Sequence, residues 1–338
     1  EELIAMADEM APHGGVYITH LRSEADTFLE AIDEAIRIGR EGRVPVEIFH
    51  LKAGGRRNWY KAELAIDRIE AARAEGLDVQ ANMYPYTAGS TGLHACLPPW
   101  ASADDKLFEN LTDPDMRATI RDEILNQKTV WENFCSLSGP DGVLILRLRK
   151  EENRQYAGMY LSEIADAMGK EWVDTLIDLI VSEEGDPATI YFMMSEKNVA
   201  LQLAQPWMKF GTDAGGADPA RSGTLTHPRA YGTFPRILGK YVREERIMSL
   251  EEAIRKMTSA VTNRLSIGDR GLVREGHFAD IVVFNPATIS DMATYEQPHQ
   301  VSLGIRWVLV NGTVVVRAGE HTGALPGRIL RGPGFVPQ

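Results

Sequence analysis

The chain has 338 residues, 44% of them apolar and 25% charged, which are ordinary proportions for a globular protein. Its formal net charge of −12, with no basic stripe, argues against a nucleic-acid partner, and no apolar run reaches the ~18 residues of a membrane helix. Cys96 and Cys135 are too few for a disulfide framework and fit a reducing, cytoplasmic compartment.

The chain opens on Glu1 rather than Met, inside a helix-patterned stretch (Leu3, Met6, Ala7, Met10), so an upstream segment is expected. Secretion stays open for the same reason. Gly15-Val-Tyr-Ile-Thr-His20 and Val44-Pro-Val-Glu-Ile-Phe-His50 are apolar, β-branched runs of strand length, each closing on a histidine. Between them, Ser23 to Gly39 is predicted helical. Ser23 and Asp26 resemble a capping box, and Phe28, Leu29, Ile32, Ala35 and Ile36 form one apolar face. Asn58 is expected to open a second helix ending before Gly76, and Leu77 to Tyr84 a third strand. Strand starts about 30 residues apart are the repeat of a parallel α/β barrel.

From Asp104 to Ala204 that rhythm breaks. The stretch reads as a mostly helical insertion, with strand-like runs at Val143–Leu148 and Ala188–Met193. Pro206 to Asp213 resumes the strand pattern and ends on a carboxylate, and Leu250 to Ala260 is an amphipathic helix. Gly276–Phe284 and Trp307–Arg317 are strands without helices between them, which suggests a small β-sandwich. Asn311-Gly312 marks a hairpin turn, and the last dozen residues read as an extended tail.

His20, His50 and Asp213 all close predicted strands, the end of a barrel where chemistry collects. Neutral imidazoles with a nearby carboxylate suit zinc and the deprotonation of water. Either histidine alone is explained by capping of backbone groups; two at successive strand ends, with the terminal Asp213, favour a metal. Lys52 and Arg229 are loop cations at the same end, suited to a substrate carboxylate or simply solvated. Tyr84 and Ser90 can donate to an oxyanion, although Tyr84-Pro85-Tyr86 serves equally as a rigid turn. His13 and His227 read as structural or surface residues, His94 and His277 as non-ligands, and Cys96 as packed in a loop.

Ile18-Thr-His-Leu-Arg-Ser-Glu24, Phe49-His-Leu-Lys52, Tyr84-Pro-Tyr-Thr-Ala-Gly-Ser90, Leu97-Pro-Pro-Trp100, Gly211-Thr-Asp213 and His227-Pro-Arg-Ala-Tyr-Gly-Thr-Phe-Pro235 resemble the N-acyl-D-amino-acid deacylase (D-aminoacylase) family of the amidohydrolase superfamily. Arg270 to Phe284 is similar to that superfamily's sandwich signature. The resemblance implies a zinc enzyme that hydrolyses the amide of N-acyl-D-amino acids, with one tightly held ion and room for a second. His20 and His50 would be zinc ligands on barrel strands five and six. Asp213 would touch the metal and act as general base. Lys52, Tyr84, Ser90 and Arg229 would line the substrate pocket.

The resemblance further implies the C-terminal half of a metal-dependent (β/α)8 TIM-type barrel. Residues 1–103 would hold strands five to seven, 104–205 the insertion, 206–268 the last strand and its helices, and 269–338 the β-sandwich and tail. The family's His-x-His pair and cysteine ligand, expected upstream of His20, are not in this sequence, so the piece alone is expected to be poorly active. The alternatives are a cyclic-amide hydrolase of the dihydroorotase or hydantoinase kind, and a truncated non-catalytic scaffold. The expected partner is a small acylated amino acid, with no nucleic acid or membrane.

Overall fold

The computed structural model describes residues 1–126, 129–216 and 224–335. The last three residues of the expected tail lie outside them. In chain order the strands are β1 (Tyr17–Thr19), β2 (Val46–Ile48), β3 (Val79–Met83), β4 (Ala88–Gly92), β5 (Val143–Arg147), β6 (Ala188–Phe192), β7 (Met208–Phe210), β8 (Ile281–Phe284), β9 (Ile305–Val310), β10 (Thr313–Arg317) and β11 (Glu320–His321). They make three sheets, ordered β1-β2-β3-β7, β4-β6-β5 and β11-β10-β9-β8.

The first sheet is wholly parallel, with Tyr17 opposite Val46, Val46 opposite Val79 and Ala81 opposite Met208. Helix α1 (Glu2–Met10) precedes β1, and helices α2 (Phe28–Glu41) and α3 (Lys61–Ala74) connect β1 to β2 and β2 to β3. Phe28, Ile32, Ala35 and Ile36 of α2 and Ala62, Ala65 and Ile69 of α3 join Val46, Ile48, Val79 and Ala81 in one buried core. Each Ile or Val buried there contributes about 1.5–3 kcal/mol. Gly39 lets α2 lie directly on β2, because a Cβ at that position would come 2.2 Å from Val46 Cγ2. Strand period fixes the other face: Glu47, Gln80, Asn82 and Lys209 alternate with those core residues.

Several local expectations are corrected. Helix α2 begins at Phe28, not Ser23. Lys61 Nζ donates to the carbonyls of Ala25 and Asp26, and Arg57 holds the Asp26 carboxylate, so residues 23–27 form a tied-down loop. Asn58 lies in a short 3-10 turn, and α3 starts at Lys61. Beyond the turn at Pro85, β4 pairs antiparallel with β6, and β6 with β5. Both strand-like runs of the insertion are therefore strands, and they build a second sheet with a segment that precedes residue 104. The amphipathic helix breaks at Thr258 into Leu250–Met257 and Ser259–Arg264.

Cys96 and Cys135 are joined by a disulfide, with Cα atoms 5.2 Å apart, against the expectation of reduced thiols. Both are buried, and a separation of 39 residues carries no pairing signal. The bond ties the loop after β4 to the short helix Phe134–Ser138. At the C-terminal end, β9 and β10 form the expected hairpin, with Asn311 at φ 50° and Gly312 at φ 80° as its type I′ turn requires. This region is one antiparallel sheet of four strands among the described residues. No helix among the described residues is long and apolar enough to cross a membrane.

Candidate metal and carboxylate site

His20 follows β1 and His50 follows β2, so parallel pairing in register brings them side by side. His20 Nδ1 lies 3.0 Å from His50 Nε2, with the rings edge-to-face at 4.7 Å. Behind them sits Glu24, a residue the sequence reading left out. Its Oε1 is 2.8 Å from His50 Nδ1 and also receives the Lys52 ammonium, which donates to the His50 carbonyl at 3.1 Å as well. His20, Glu24 and His50 each offer one ligand atom, all within 4.8 Å of one another.

The donor set fits a divalent cation. His50 Nδ1 lies 2.8 Å from Glu24 Oε1 and 2.9 Å from Lys52 Nζ, while its Nε2 faces His20 Nδ1, so one nitrogen of each imidazole is turned toward the other ring. A carboxylate behind a ligating histidine fixes its tautomer and raises its basicity. Burial holds His20 below its ordinary pKa. Burial opposes charge on Glu24, but Lys52 and His50 outweigh it and hold the carboxyl down at about 2. For Lys52 burial likewise works against the charge, and Glu24 reverses it, raising the pKa.

His50 and Asp213 both have positive φ, 34° and 48°. Non-glycine residues in that region cost on the order of 1–3 kcal/mol and cluster at functional sites. Asn82 Oδ1 accepts from His50 N at 3.0 Å and helps to hold the bend.

From this cluster a continuous path leads to the other expected residues. Lys52 Nζ stands 5.9 Å from the centre of the Tyr84 ring, and the Arg229 guanidinium covers that ring at 4.6 Å. Arg229 Nη1 lies 2.9 Å from Asp213 Oδ2, and Asp213 shares with His50, Asn82, Tyr84 and Arg264 the wall of a cavity of about 320 Å³. Arg229 is buried; its Nη1 lies against the Asp213 carboxylate, and its Nε makes no hydrogen bond among the described residues. A buried guanidinium with an unclaimed donor is prepared for a planar anion. Burial raises the Tyr84 pKa and keeps its hydroxyl protonated as a donor.

Ser90 stands apart. It lies on β4, and its hydroxyl is donated to the Thr189 carbonyl at 2.9 Å. The neighbouring Gly89 faces Tyr84, since a Cβ there would lie 3.6 Å from the Tyr84 hydroxyl.

Glu132 was also missed. Its carboxylate accepts from Glu24 N and, at 3.2 Å, from the Ser23 hydroxyl, which brings the segment before helix Phe134–Ser138 against the loop carrying Glu24. Burial raises its pKa. A glutamate four residues after a strand-end histidine was the one available sign of Glu24; nothing local marks Glu132.

The amidohydrolase family matches residues 199–316. Among curated proteins, the chain is 36% identical to a D-aminoacylase of Alcaligenes xylosoxydans xylosoxydans over 98% of this chain and 57% of that protein. It is 31% identical to an N-acyl-D-glutamate deacylase of the same organism, over 98% and 57%. Among solved structures, a D-aminoacylase crystal structure superposes with a TM-score of 0.73 at 34% identity, over 96% of this chain and 57% of that one. An N-acyl-D-glutamate deacylase from Bordetella bronchiseptica, complexed with zinc and a phosphonate mimic of the tetrahedral intermediate, superposes at 0.72 and 29% identity, over 93% and 56%. The chain thus spans a little over half the length of its curated relatives. The resemblance carried by the motifs holds along nearly the whole of it, and these relatives are amidohydrolases.

Proposed function

We propose that this chain carries strand-end machinery of an enzyme that hydrolyses the amide bond of N-acyl-D-amino acids, releasing a carboxylate and a D-amino acid. The observation that carries the reading is the buried Arg229, stacked over Tyr84 with its Nε unclaimed among the described residues, beside Lys52 and the adjacent His20–His50 pair. A deacylase needs those two functions adjacent: recognition of an α-carboxylate and polarisation of the neighbouring amide.

His20, His50 and Asp213 would hold one or two divalent ions, zinc by ligand chemistry, which supply Lewis acidity toward the scissile carbonyl and its water. Lys52 and Arg229 bind the substrate carboxylate, Arg229 through its planar fork. Tyr84 donates to the carbonyl oxygen as charge develops there. Asp213 takes the proton from the attacking water and returns it to the departing amine. Glu24 keeps His50 in one tautomer and Lys52 charged. Ser90, whose proton is committed to Thr189, can meet substrate only as an acceptor.

The same reading assigns β1–β3 and β7 to strands of a (β/α)8 barrel, residues 104–205 to an insertion, 206–268 to its last unit and 269–338 to a sandwich layer. The resemblance also implies a His-x-His pair, which no position of the 338 residues supplies. Activity is therefore proposed for the whole gene product. Metal analysis of that protein and of its His50→Ala variant, with turnover measured beside it, is the test. The variant should lose both metal and hydrolysis; undiminished turnover would refute the assignment.

A further inference from the structure

His227 read as a structural or surface residue in the sequence, and its surroundings say more. It is buried, and both ring nitrogens are engaged: Nε2 with the Ala88 carbonyl at 2.9 Å and Nδ1 with the Arg229 backbone N–H at 3.0 Å. Only the neutral Nε2–H tautomer satisfies a carbonyl and an N–H together. Arg229 is the first residue of helix Arg229–Arg236, whose preceding residue Pro228 makes no side-chain cap. The imidazole therefore does the capping from outside the helix.

The ring is also walled by Tyr84, Tyr86 and Tyr295, with centroids at 6.0, 5.3 and 5.3 Å. The Tyr86 hydroxyl donates to the Pro228 carbonyl at 3.4 Å. Gly232, one turn on, admits this packing, because a Cβ there would come 2.4 Å from the Tyr86 oxygen. The start of the helix is thus located against β4 at one point, and Arg229 projects from that point over Tyr84.

We infer that His227 is the positioning residue of the carboxylate site: through Nδ1 it sets the backbone from which Arg229 reaches the substrate, while the Nε2 bond to Ala88 fixes the tautomer of the ring. The inference rests on the deacylase reading for its kinetic arm only. It assigns different jobs to the two nitrogens, and this makes it testable with isosteres. Asparagine places its amide near the Nδ1 position and can keep the Arg229 contact; glutamine reaches toward Nε2 and keeps the Ala88 contact instead.

In the whole gene product, His227→Gln should raise KM for an N-acetyl-D-amino acid about tenfold with kcat within about threefold, and His227→Asn should leave KM within about threefold. Folding of each variant is checked by circular dichroism and thermal melting. A merely structural role ranks the two by stability alone and moves KM equally; equal KM effects, or none, in folded variants would overturn the inference. A second readout needs no turnover. The Arg229 Nε–H resonance, shifted by the Tyr84 ring, should move in His227→Gln and stay in place in His227→Asn. If wild type hydrolyses no N-acyl-D-amino acid but the resonance behaves so, the deacylase reading fails and the positioning role stands. If the resonance is the same in wild type and both variants, the positioning role fails.

Discussion

Two charge clusters, each built on a buried carboxylate–lysine pair, lie on the parallel sheet, and they differ in kind. At the strand ends are Glu24, Lys52, His20 and His50; within the strands are Glu47 on β2 and Lys209 on β7, with Arg264 and Asp78 beside them. In the inner cluster every charge meets an opposite one on regular backbone: Glu47 with Lys209 at 2.8 Å and Arg264 at 3.2 Å, Arg264 with Asp78 at 2.9 Å. At the strand ends the backbone turns left-handed at His50, and two imidazoles face one another with no acid between them. Burial and ion pairing are common to both, so neither marks a site. Facing imidazoles on strained backbone do. Glu47, Lys209 and Arg264 of the inner cluster line the same cavity as Asp213, with their charges already paired with one another.

The largest effect that separates them is His50→Ala, which should lower hydrolysis by the whole gene product at least about 100-fold, while Lys209→Met leaves metal content unchanged. Next, Glu24→Gln and Glu47→Gln should each destabilise by about 3–5 kcal/mol in urea melts, because each strands a buried cation. Only Glu24→Gln should also weaken zinc affinity, by about 10–100-fold on titration against a competing chelator. Equal zinc affinities would erase the distinction.

Acid is a third probe. Burial, then Arg229, pushes the His227 pKa down from 6.5 to about 3. The folded state therefore binds fewer protons, and the contribution is complete above about 6.5 and is lost as pH falls toward 3. At its limit it is on the order of 4–5 kcal/mol. Among the described residues, the groups facing the ring are Arg229, Tyr84, Tyr86 and Tyr295, and burial raises the pKa of all three tyrosines. Melting temperatures between those pH values should fall less steeply for His227→Asn than for wild type.

The smallest expected effect concerns the link between the clusters. Asn82 accepts from His50 N at 3.0 Å and donates to Glu47 Oε1 at 3.1 Å. Asn82→Ala should cost about 1–3 kcal/mol and disturb both ends, seen as a modest fall in stability and in metal affinity together.

What could be read in advance follows from what is local. His20, His50 and Asp213 stand out as candidates because each closes an apolar run, and strand termination is written in neighbouring residues. Asn311-Gly312 was visible because a type I′ turn demands that pair. Glu24 was not, because Ser23 and Asp26 imitate a helix cap, and the contacts that cancel the imitation come from Arg57 and Lys61, some thirty residues on. No strand is expected at β4 from its own residues, because its partner β6 lies about a hundred residues later, across the insertion. The Cys96–Cys135 pairing and the role of His227 depend on the same insertion and its sheet. Local pattern placed the metal-ligand candidates, and long-range pairing placed everything that orients them.

The measurement that bears most directly on this account is hydrolysis of matched N-acetyl-D- and N-acetyl-L-amino acids by the whole gene product, with and without chelator. The account expects cleavage of the D form alone, abolished by chelator and restored by zinc. A folded, zinc-loaded protein that cleaves neither form would contradict it.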